Sequence, residues 1–576
     1  MGGMSTEDEV GEVLEAFSAG DWHLCLTRAA PFLTAGSAPA PILLAAAQSY
    51  SRLGHMPEAA YFYEMAADLM PAEASLLLTL AARIRVQLFE ESKALSLIRR
   101  AQALGPMNVE ALSTLRKILR PRLALSELAR LDAQVHRAML DGEAWAFDNE
   151  DPLFHLMWCG DERLNSLVRH MPAGKPFTPE ARAARRARPH RYGEKIRVGY
   201  LSSDVSDQHP TMILFQGVLE AHDPERFEIT LFCHTESDLA ATDLGFRKRY
   251  PNLVVIRDLD DDAAAELIRA RGIDILVDMK GHTRDARVDL VNRGLAPVQV
   301  AWLGFPGTCY GIDCDYIVGD PIVLPDGSEP HYRELFCRLP ETYQCNDGKT
   351  RPRPEPPPRA SLGLPDGAVV FGSFNKQAKI TASVAALWAR VLSAVPDSVL
   401  WMLCQPGPAR ENFTAHMQSL GIAPSRIIYM PRADYAEHMA RMGAADIALD
   451  TFPYSGHTTT SDCLWAGVPV VALKGTNFAS RVSESLLTAI GLPELVAHDE
   501  QAFVDTALMM ARSPLRRRAL KARLEQNRLR MPLFDTERFT RHLETAFEMM
   551  VERASKGLPP EAFDVPALPP RQGPFA

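Results

Sequence analysis

Residues 456–462 read Gly-His-Thr-Thr-Thr-Ser-Asp and run straight into an apolar stretch of helical period, CLWAGVPVV. One hydroxyl or carboxylate is enough to cap a helix. Here a histidine and a row of hydroxyls precede Asp462, far more than a cap requires. The first amides of a helix are unpaired and carry partial positive charge, which suits an anion and above all a phosphate. His457, Thr458 and Thr459 are therefore expected beside a phosphate, with Asp462 one turn on as an acceptor for sugar hydroxyls.

Other clusters agree. GSFNKQAKI leaves a strand-like run and ends near Lys379, and a lysine at a strand end reaches a phosphate as a point charge. MPRADYAEHMARMGAAD sets His438 and Arg441 near the start of a helix, where either could pack on or bond to a base. GYLSSDVSDQHP reaches His209-Pro210, and LVDMKGHTRDAR presents Asp278, Lys280 and His282. A histidine at the mouth of a cleft can move a proton or orient an acceptor hydroxyl. Taken singly, such residues are more often surface lysines and structural histidines. Asp313-Cys314-Asp315 has the DxD spacing that elsewhere holds a divalent metal on sugar nucleotides, but it borders the apolar YIVGD without helper ligands and reads as incidental. The chain has no GxGxxG after its first strand, no Walker lysine and no GxSxG, which argues against dehydrogenase, NTPase and hydrolase chemistry.

Two kinds of element must position these residues. KIRVGYLSSD, FEITLFCH, NLVVIRDL, IDILVDMKG and VQVAWLGFPG are short β-branched runs separated by helical stretches. The same alternation returns in AVVFGSFN, DSVLWMLCQ, SRIIYMP, DIALDTFP and VPVVALKG. Alternating strands and helices predict two parallel α/β halves, with a ligand between them at the C-terminal ends of the strands. The proline-dense DGKTRPRPEPPPRASLGLPDG joins them as a semi-rigid linker. LEQNRLRMPLFDTERFTRHLETAFEMMVERA reads as one long amphipathic helix and the last twenty or so residues as an irregular tail.

The front of the chain differs. Leu43, Ala46, Ala47, Tyr50, Ala59, Tyr63, Ala66 and Pro71 have the spacing of a tetratricopeptide unit, and Ala94, Ala101 and Pro106 repeat the last small residues and proline at a period of 35. AGDWHLCLTRAAPFL resembles a degenerate first unit. The expected division is a helical repeat region over 1–150 and a helical connector over 151–194. An N-terminal catalytic half follows over 195–350, then the linker over 351–366, a nucleotide-sugar-binding half over 367–550 and a tail over 551–576. The basic TPEARAARRARPHRYGEK in the connector reads as a solvated linker or helix rather than a nucleic-acid arm.

A formal charge of −10 argues against nucleic acid as the main partner. Nine scattered cysteines without CxxC spacing indicate neither a zinc site nor a disulfide framework and suit a reducing compartment. No secretory signal or membrane-spanning run is present, so a cytoplasmic protein is expected. The N-myristoylation pattern matched by Gly2 to Thr6 is short enough to arise by chance.

Together, GYLSSD with its following His-Pro, ILVDMKGHT, APVQVAWLGFPGT, FNKQAKI, PDSVLWML, and GHTTTSDCLWAGVPVV followed by FASRV resemble the catalytic region of O-linked N-acetylglucosamine transferases over residues 195 to about 550. The repeat array in front matches that family's domain order. The resemblance implies two Rossmann-like halves of GT-B type and a metal-independent, inverting transfer from a UDP-sugar to Ser or Thr of an acceptor protein captured by the array. Carried over by position, Lys379 binds the diphosphate, and His457, Thr458 and Thr459 cradle its distal phosphate. Asp462 binds the ribose, His438 lies by the uracil and ribose, and His209 is the active-site histidine. His209, Asp278 or a donor phosphate oxygen could serve as base. Lys376 stands where the animal enzymes have glutamine, adding charge near the phosphates, and Tyr435 where they have lysine. The array is also short. Donor and acceptor thus stay open: relatives of this architecture include enzymes for flagellin or adhesins, some with other sugars. UDP-glucose to Asn, a nonulosonic acid to flagellin, and an inactive repeat scaffold remain as alternatives.

Overall fold

A computed structural model describes residues 6–36 and 38–575. Gly2, and with it the acylation pattern, lies outside the described residues. The chain divides into two compact units, Met1–Ala138 and Met139–Ala576.

In the first unit, helices Thr6–Ser18, Trp22–Ala35, Ala40–Arg52, Met56–Leu69, Ala74–Gln87, Glu91–Ala103 and Val109–Leu119 each pack on the next. Ala46, Ala59, Ala66 and Ala94 are fully buried, as a position where only a methyl group fits between crossing helices must be. Pro71 and Pro106 stand just past the ends of two of these helices, where a ring that cannot continue the hydrogen-bond ladder is tolerated.

The second unit holds two all-parallel sheets. The first comprises β1 (Ile196–Ser202), β2 (Phe227–Cys233), β3 (Leu253–Val255), β4 (Ile275–Asp278), β5 (Val298–Ala301), β6 (Tyr316–Gly319) and β7 (Leu335–Arg338). The second comprises β8 (Val369–Ser373), β9 (Ser398–Leu403), β10 (Ile427–Met430), β11 (Ile447–Leu449), β12 (Val470–Leu473) and β13 (Val496–Ala497). A last strand, β14 (Phe563–Asp564), returns to the first sheet. The orders are β14-β7-β6-β5-β4-β1-β2-β3 and β10-β9-β8-β11-β12-β13. Each half is thus doubly wound, and each has one place where the strand order reverses: between β1 and β4, and between β8 and β11.

The C-terminal region departs from expectation. Instead of one long helix it forms two, Pro514–Asn527 and Thr536–Ser555, broken around Pro532. The second packs on the helix Pro210–Ala221 of the first half, where buried Glu544 meets His222 Nδ1 at 3.1 Å and accepts from Asp223 N at 2.7 Å. The expected tail supplies β14, and Val565 N donates to Arg338 O at 2.8 Å. Main-chain pairing at a sheet edge needs no side-chain pattern, so composition did not announce it.

The basic connector is a mostly exposed helix with one buried arginine. Helix Pro179–Ala187 carries Arg185, which is 2% exposed and bonds both Asp313 (Nε to Oδ2, 2.8 Å) and Asp315 (Nη2 to Oδ1, 2.8 Å). Arg182 and Arg186 take the same two carboxylates at 2.6 and 2.7 Å. The DxD pair is therefore a structural anchor. Removing one member of a buried ion cluster strands its partners, so Arg185→Met is expected to cost about 3–5 kcal/mol, read as a lowered urea midpoint at unchanged slope.

Candidate active site

In a doubly wound sheet the ligand lies beyond the strand ends where the order reverses. The segments leaving β1, β4, β8 and β11 are the ones that carry the chemistry-bearing residues.

The segment after β11 is built on Asp450, which sequence reasoning passed over. Its buried Oδ1 accepts Thr451 N (2.8 Å), Gly456 N (2.7 Å) and Asn375 Nδ2 from the segment after β8 (3.1 Å). One carboxylate thus ties both strand ends into one loop. Gly456 must be glycine, because a Cβ there would collide with Thr460 Oγ1. Lys379, in the short turn Gln377–Lys379, donates through Nζ to Ser455 O at 2.8 Å and lies 4.1 Å from the centre of the Tyr454 ring. Burial pulls its ammonium down to about 7, against the pull of Asp450 and reinforced by Lys376. Lys376 itself is exposed at the start of that turn.

His457 stacks on Tyr454 (4.7 Å, 28°), and its Nε2 lies 3.1 Å from Ala479 O. Because a carbonyl only accepts, Nε2 carries the proton. Burial, then the nearby Lys379, holds the ring well below the ordinary histidine range, so it is neutral and fastens the loop. The helix Thr458–Trp465 begins here without a side-chain cap. The amides of Thr458, Thr459 and Thr460 have no acceptor among the described residues. Three unpaired N–H groups at a helix N-terminus, in the loop that a half-buried lysine amine grips, are the kind of arrangement that can receive an anion.

Asp462 lies one turn further. Its Oδ1 accepts from Tyr435 Oη at 2.9 Å and lies 3.4 Å from Arg351 Nη1. Burial pushes its carboxyl up, and Arg351 opposes that. His438, on the helix Tyr435–Met442, stands edge-on to Phe374 (6.2 Å, 85°), and burial takes it to about 4, so it too is neutral. Arg441 instead donates to Pro431 O at 3.2 Å and braces its own helix.

Across from these, His209 caps the helix Pro210–Ala221: its Nδ1 accepts from Thr211 N at 3.3 Å. Burial lowers its pKa, so the neutral ring carries its proton on Nε2, 3.8 Å from Asp204 Oδ1. Asp204 also pairs with Lys280 Nζ and accepts from Thr211 Oγ1 at 3.2 Å. Asp278 does not join them. Both of its oxygens accept backbone amides, from Lys280 and Gly281 at 3.0 Å each, and it is buried under the turn it stabilises. It is absent from the linings of the two hollows described below, which favours the other candidates for the base. His282 packs edge-on against Phe305 at 5.3 Å, also buried.

A cleft of about 940 Å³ brings the halves together, with Asp207, Pro210 and Gln216 on one wall and Arg351, Tyr435, His438, Thr458, Thr459 and Asp462 on the other. A second hollow of about 660 Å³ is lined by Asp204, His209, Thr211 and Lys280. Among the described residues no group of three or more His, Cys, Asp or Glu is placed to hold a metal ion, and no helix is long and apolar enough to cross a membrane.

The model of glycosyl transferase family 41 matches residues 181–351 and 357–543. The chain belongs to this family. It is 32% identical over 378 residues to "Probable UDP-N-acetylglucosamine--peptide N-acetylglucosaminyltransferase SEC" of Arabidopsis thaliana, covering 65% of this chain and 39% of that one. It is 34% identical over 384 residues to the SPINDLY protein of the same description from Oryza sativa subsp. japonica, covering 64% and 40%. The family 41 chain thus spans about 40% of the length of these curated relatives. Among solved structures it is similar to a lysine-to-methionine mutant of the Thermobaculum terrenum O-GlcNAc transferase, with a TM-score of 0.62 and 26% identity over 96% of this chain and 99% of that chain. The helical array followed by two Rossmann-like halves is the architecture of that O-GlcNAc transferase as well.

Asp450, Asp204, Tyr454 and Arg351 are the site residues that motif reading missed. Asp450 and Asp204 each carried a signal, as polar residues that directly follow strand-like runs.

Proposed function

We propose that the chain transfers N-acetylglucosamine from UDP-N-acetylglucosamine, with inversion, to Ser or Thr hydroxyls of acceptor proteins. The observation that carries this is the anion site: unpaired amides at Thr458–Thr460 in the same loop as the Lys379 amine, on a cleft whose opposite wall adjoins His209. The names of the relatives supply the donor and the class of acceptor.

The chemistry follows from that arrangement. As the bond from the anomeric carbon to the diphosphate breaks, negative charge grows on the leaving oxygens, where fixed amide dipoles and Lys379 stabilise it without reorganising. Asp462 receives the ribose hydroxyls, and His438 and Tyr435 flank the nucleoside. His209 presents Nε2–H and so acts as a donor that orients the acceptor hydroxyl rather than as the base. The hydroxyl proton passes to a phosphate oxygen of the donor as the new C–O bond forms. Lys376 adds positive charge at the mouth, and the repeat unit raises the local concentration of the acceptor.

Lys379 makes donor binding depend on pH. With the free amine at about 7, the unliganded protein loses this proton above that value, whereas the diphosphate requires the ammonium. UDP affinity is expected to fall about tenfold per unit above pH 7 until the pKa of the complex is reached, with roughly one proton taken up per UDP at pH 8. Calorimetry in buffers of different ionisation heat reads that proton directly. The folding term has the opposite sign. Since the folded pKa lies below the unfolded lysine value, the unfolded chain binds the extra proton above pH 7, and the apo protein gains stability from this group as pH rises.

The function is tested by incubating the protein with labelled UDP-N-acetylglucosamine, UDP-glucose or a CMP-activated nonulosonic acid, together with candidate acceptors including flagellin. Label from UDP-N-acetylglucosamine that is released by mild alkaline elimination is the expected result. Label that resists elimination, or comes only from another donor, contradicts the proposal.

A further inference from the structure

Arg351 opens the linker between the halves, where composition predicts a semi-rigid linker, and its residue exposure is only 4%. Its Nη2 donates to Asn346 Oδ1 at 3.2 Å and its guanidinium lies 5.6 Å from the centre of the Phe534 ring. Nε and Nη1 have no hydrogen-bond acceptor, although Nη1 lies 3.4 Å from Asp462 Oδ1. A buried cation whose donors are unmet is costly, and the neighbour it acts on accounts for it. The neighbour is Asp462, and both residues line the cleft.

The surroundings hold Arg351 in place. Gln344 Nε2 donates to Ser461 Oγ at 3.4 Å and Trp465 Nε1 donates to Pro352 O at 3.0 Å, so the segment leaving the first sheet grips the helix Thr458–Trp465 on either side of Asp462. Arg353 and Arg528 each lie 5.6 Å from the Trp465 ring, which fixes the next turn of that grip. On Asp462 itself, Tyr435 and Arg351 both engage Oδ1, while Oδ2 has no partner among the described residues.

We propose that Arg351 is a positioning residue for the nucleotide: by holding Oδ1 of Asp462 it turns Oδ2 to the cleft as the acceptor for the vicinal hydroxyls of a ribose, and so sets the preference for ribonucleotides over deoxyribonucleotides. This rests on the nucleotide-donor reading of the same cleft. Burial alone drives a carboxyl toward its neutral form, and Arg351 is the positive charge that opposes this at Asp462. Removing it leaves a carboxyl that is less often ionised and free to rotate.

The test is calorimetric titration with UDP, 2′-deoxy-UDP, GDP and 2′-deoxy-GDP on wild type, Arg351→Met, Arg351→Lys and Asp462→Asn. Wild type is expected to prefer the ribo form by about tenfold or more, the worth of one charge-assisted hydrogen bond. Arg351→Met should bring that preference close to unity by weakening the ribo form selectively, and Arg351→Lys should restore part of it. Equal weakening of ribo and deoxy forms in Arg351→Met, or no preference in wild type, overturns the proposal while leaving the donor reading intact. No binding of any nucleotide to wild type overturns both. Should Arg351→Met not fold, the double variant Arg351→Met/Asp462→Asn removes both charges and answers the question. Its affinities should match those of Asp462→Asn alone, and a further loss of about tenfold would mean that Arg351 acts without Asp462.

Discussion

Lys379→Met is expected to lower kcat for sugar transfer by about 10²- to 10³-fold, the usual effect of deleting one preorganised group from a site of developing negative charge. The apo protein should not lose stability. A methionine keeps an apolar stem against Tyr454 and removes an ammonium that burial already holds down to about 7. The melting temperature of the variant should equal or exceed that of wild type below pH 7, where the wild-type amine is charged and its burial is most costly. Its UDP affinity should lose the pH dependence described above. A structural lysine predicts the reverse pattern, in which stability and activity fall together. Measuring kcat and melting temperature on the same preparations separates the two cases.

Asp450→Ala is expected to damage both fold and function. Thr451 N, Gly456 N and Asn375 Nδ2 all donate to one buried carboxylate oxygen, and alanine leaves each without an acceptor. At about 1–3 kcal/mol per stranded donor, partly relieved by water entering the gap, the loss should be about 3–5 kcal/mol. The same loop carries Ser455 O, which Lys379 grips, and Gly456, which lets the chain turn into the Thr458 helix. Transfer should therefore fall further than that of Lys379→Met even at temperatures where the variant is folded. Asp450→Asn keeps the shape and one acceptor oxygen and should recover a good part of the stability. Chemical denaturation of the three proteins, with activity measured well below each midpoint, checks both halves of the expectation.

How far the sequence disclosed this site depended on what kind of interaction built it. The parallel halves were legible because buried strands such as those at Val198–Leu201 and Val470–Val471 read as short apolar runs between helical stretches. The candidate anion site was legible as a cluster because hydroxyls crowd a helix start at Thr458 and Thr459, and a lysine ends the segment after β8. What escaped was set by tertiary contact. Asp278 and Asp204 both follow strands of the first half, and nothing local distinguishes them. Only the fold gives one to backbone amides and the other to His209 and Lys280. Arg185 of the connector gave no sign of burial because its partners, Asp313 and Asp315, lie about 130 residues away. Arg351 was hidden in the same way, in a proline-rich segment whose composition suggests a spacer. β14 and the return of the helix Thr536–Ser555 to the first half depend on pairing across more than 200 residues, which no periodicity records.

The central claim is that this cleft holds a uridine diphosphate sugar through Lys379 and the amides of the Thr458 helix. Thermal stabilisation by UDP, CMP, GDP and their sugar conjugates, on wild type and Lys379→Met, tests it most directly, because a ligand that binds only the folded state must raise the melting temperature by mass action. UDP and UDP-N-acetylglucosamine should stabilise the wild type most and the variant much less. Stabilisation by CMP or GDP compounds in preference, or equal stabilisation of the two proteins by UDP, would contradict the account.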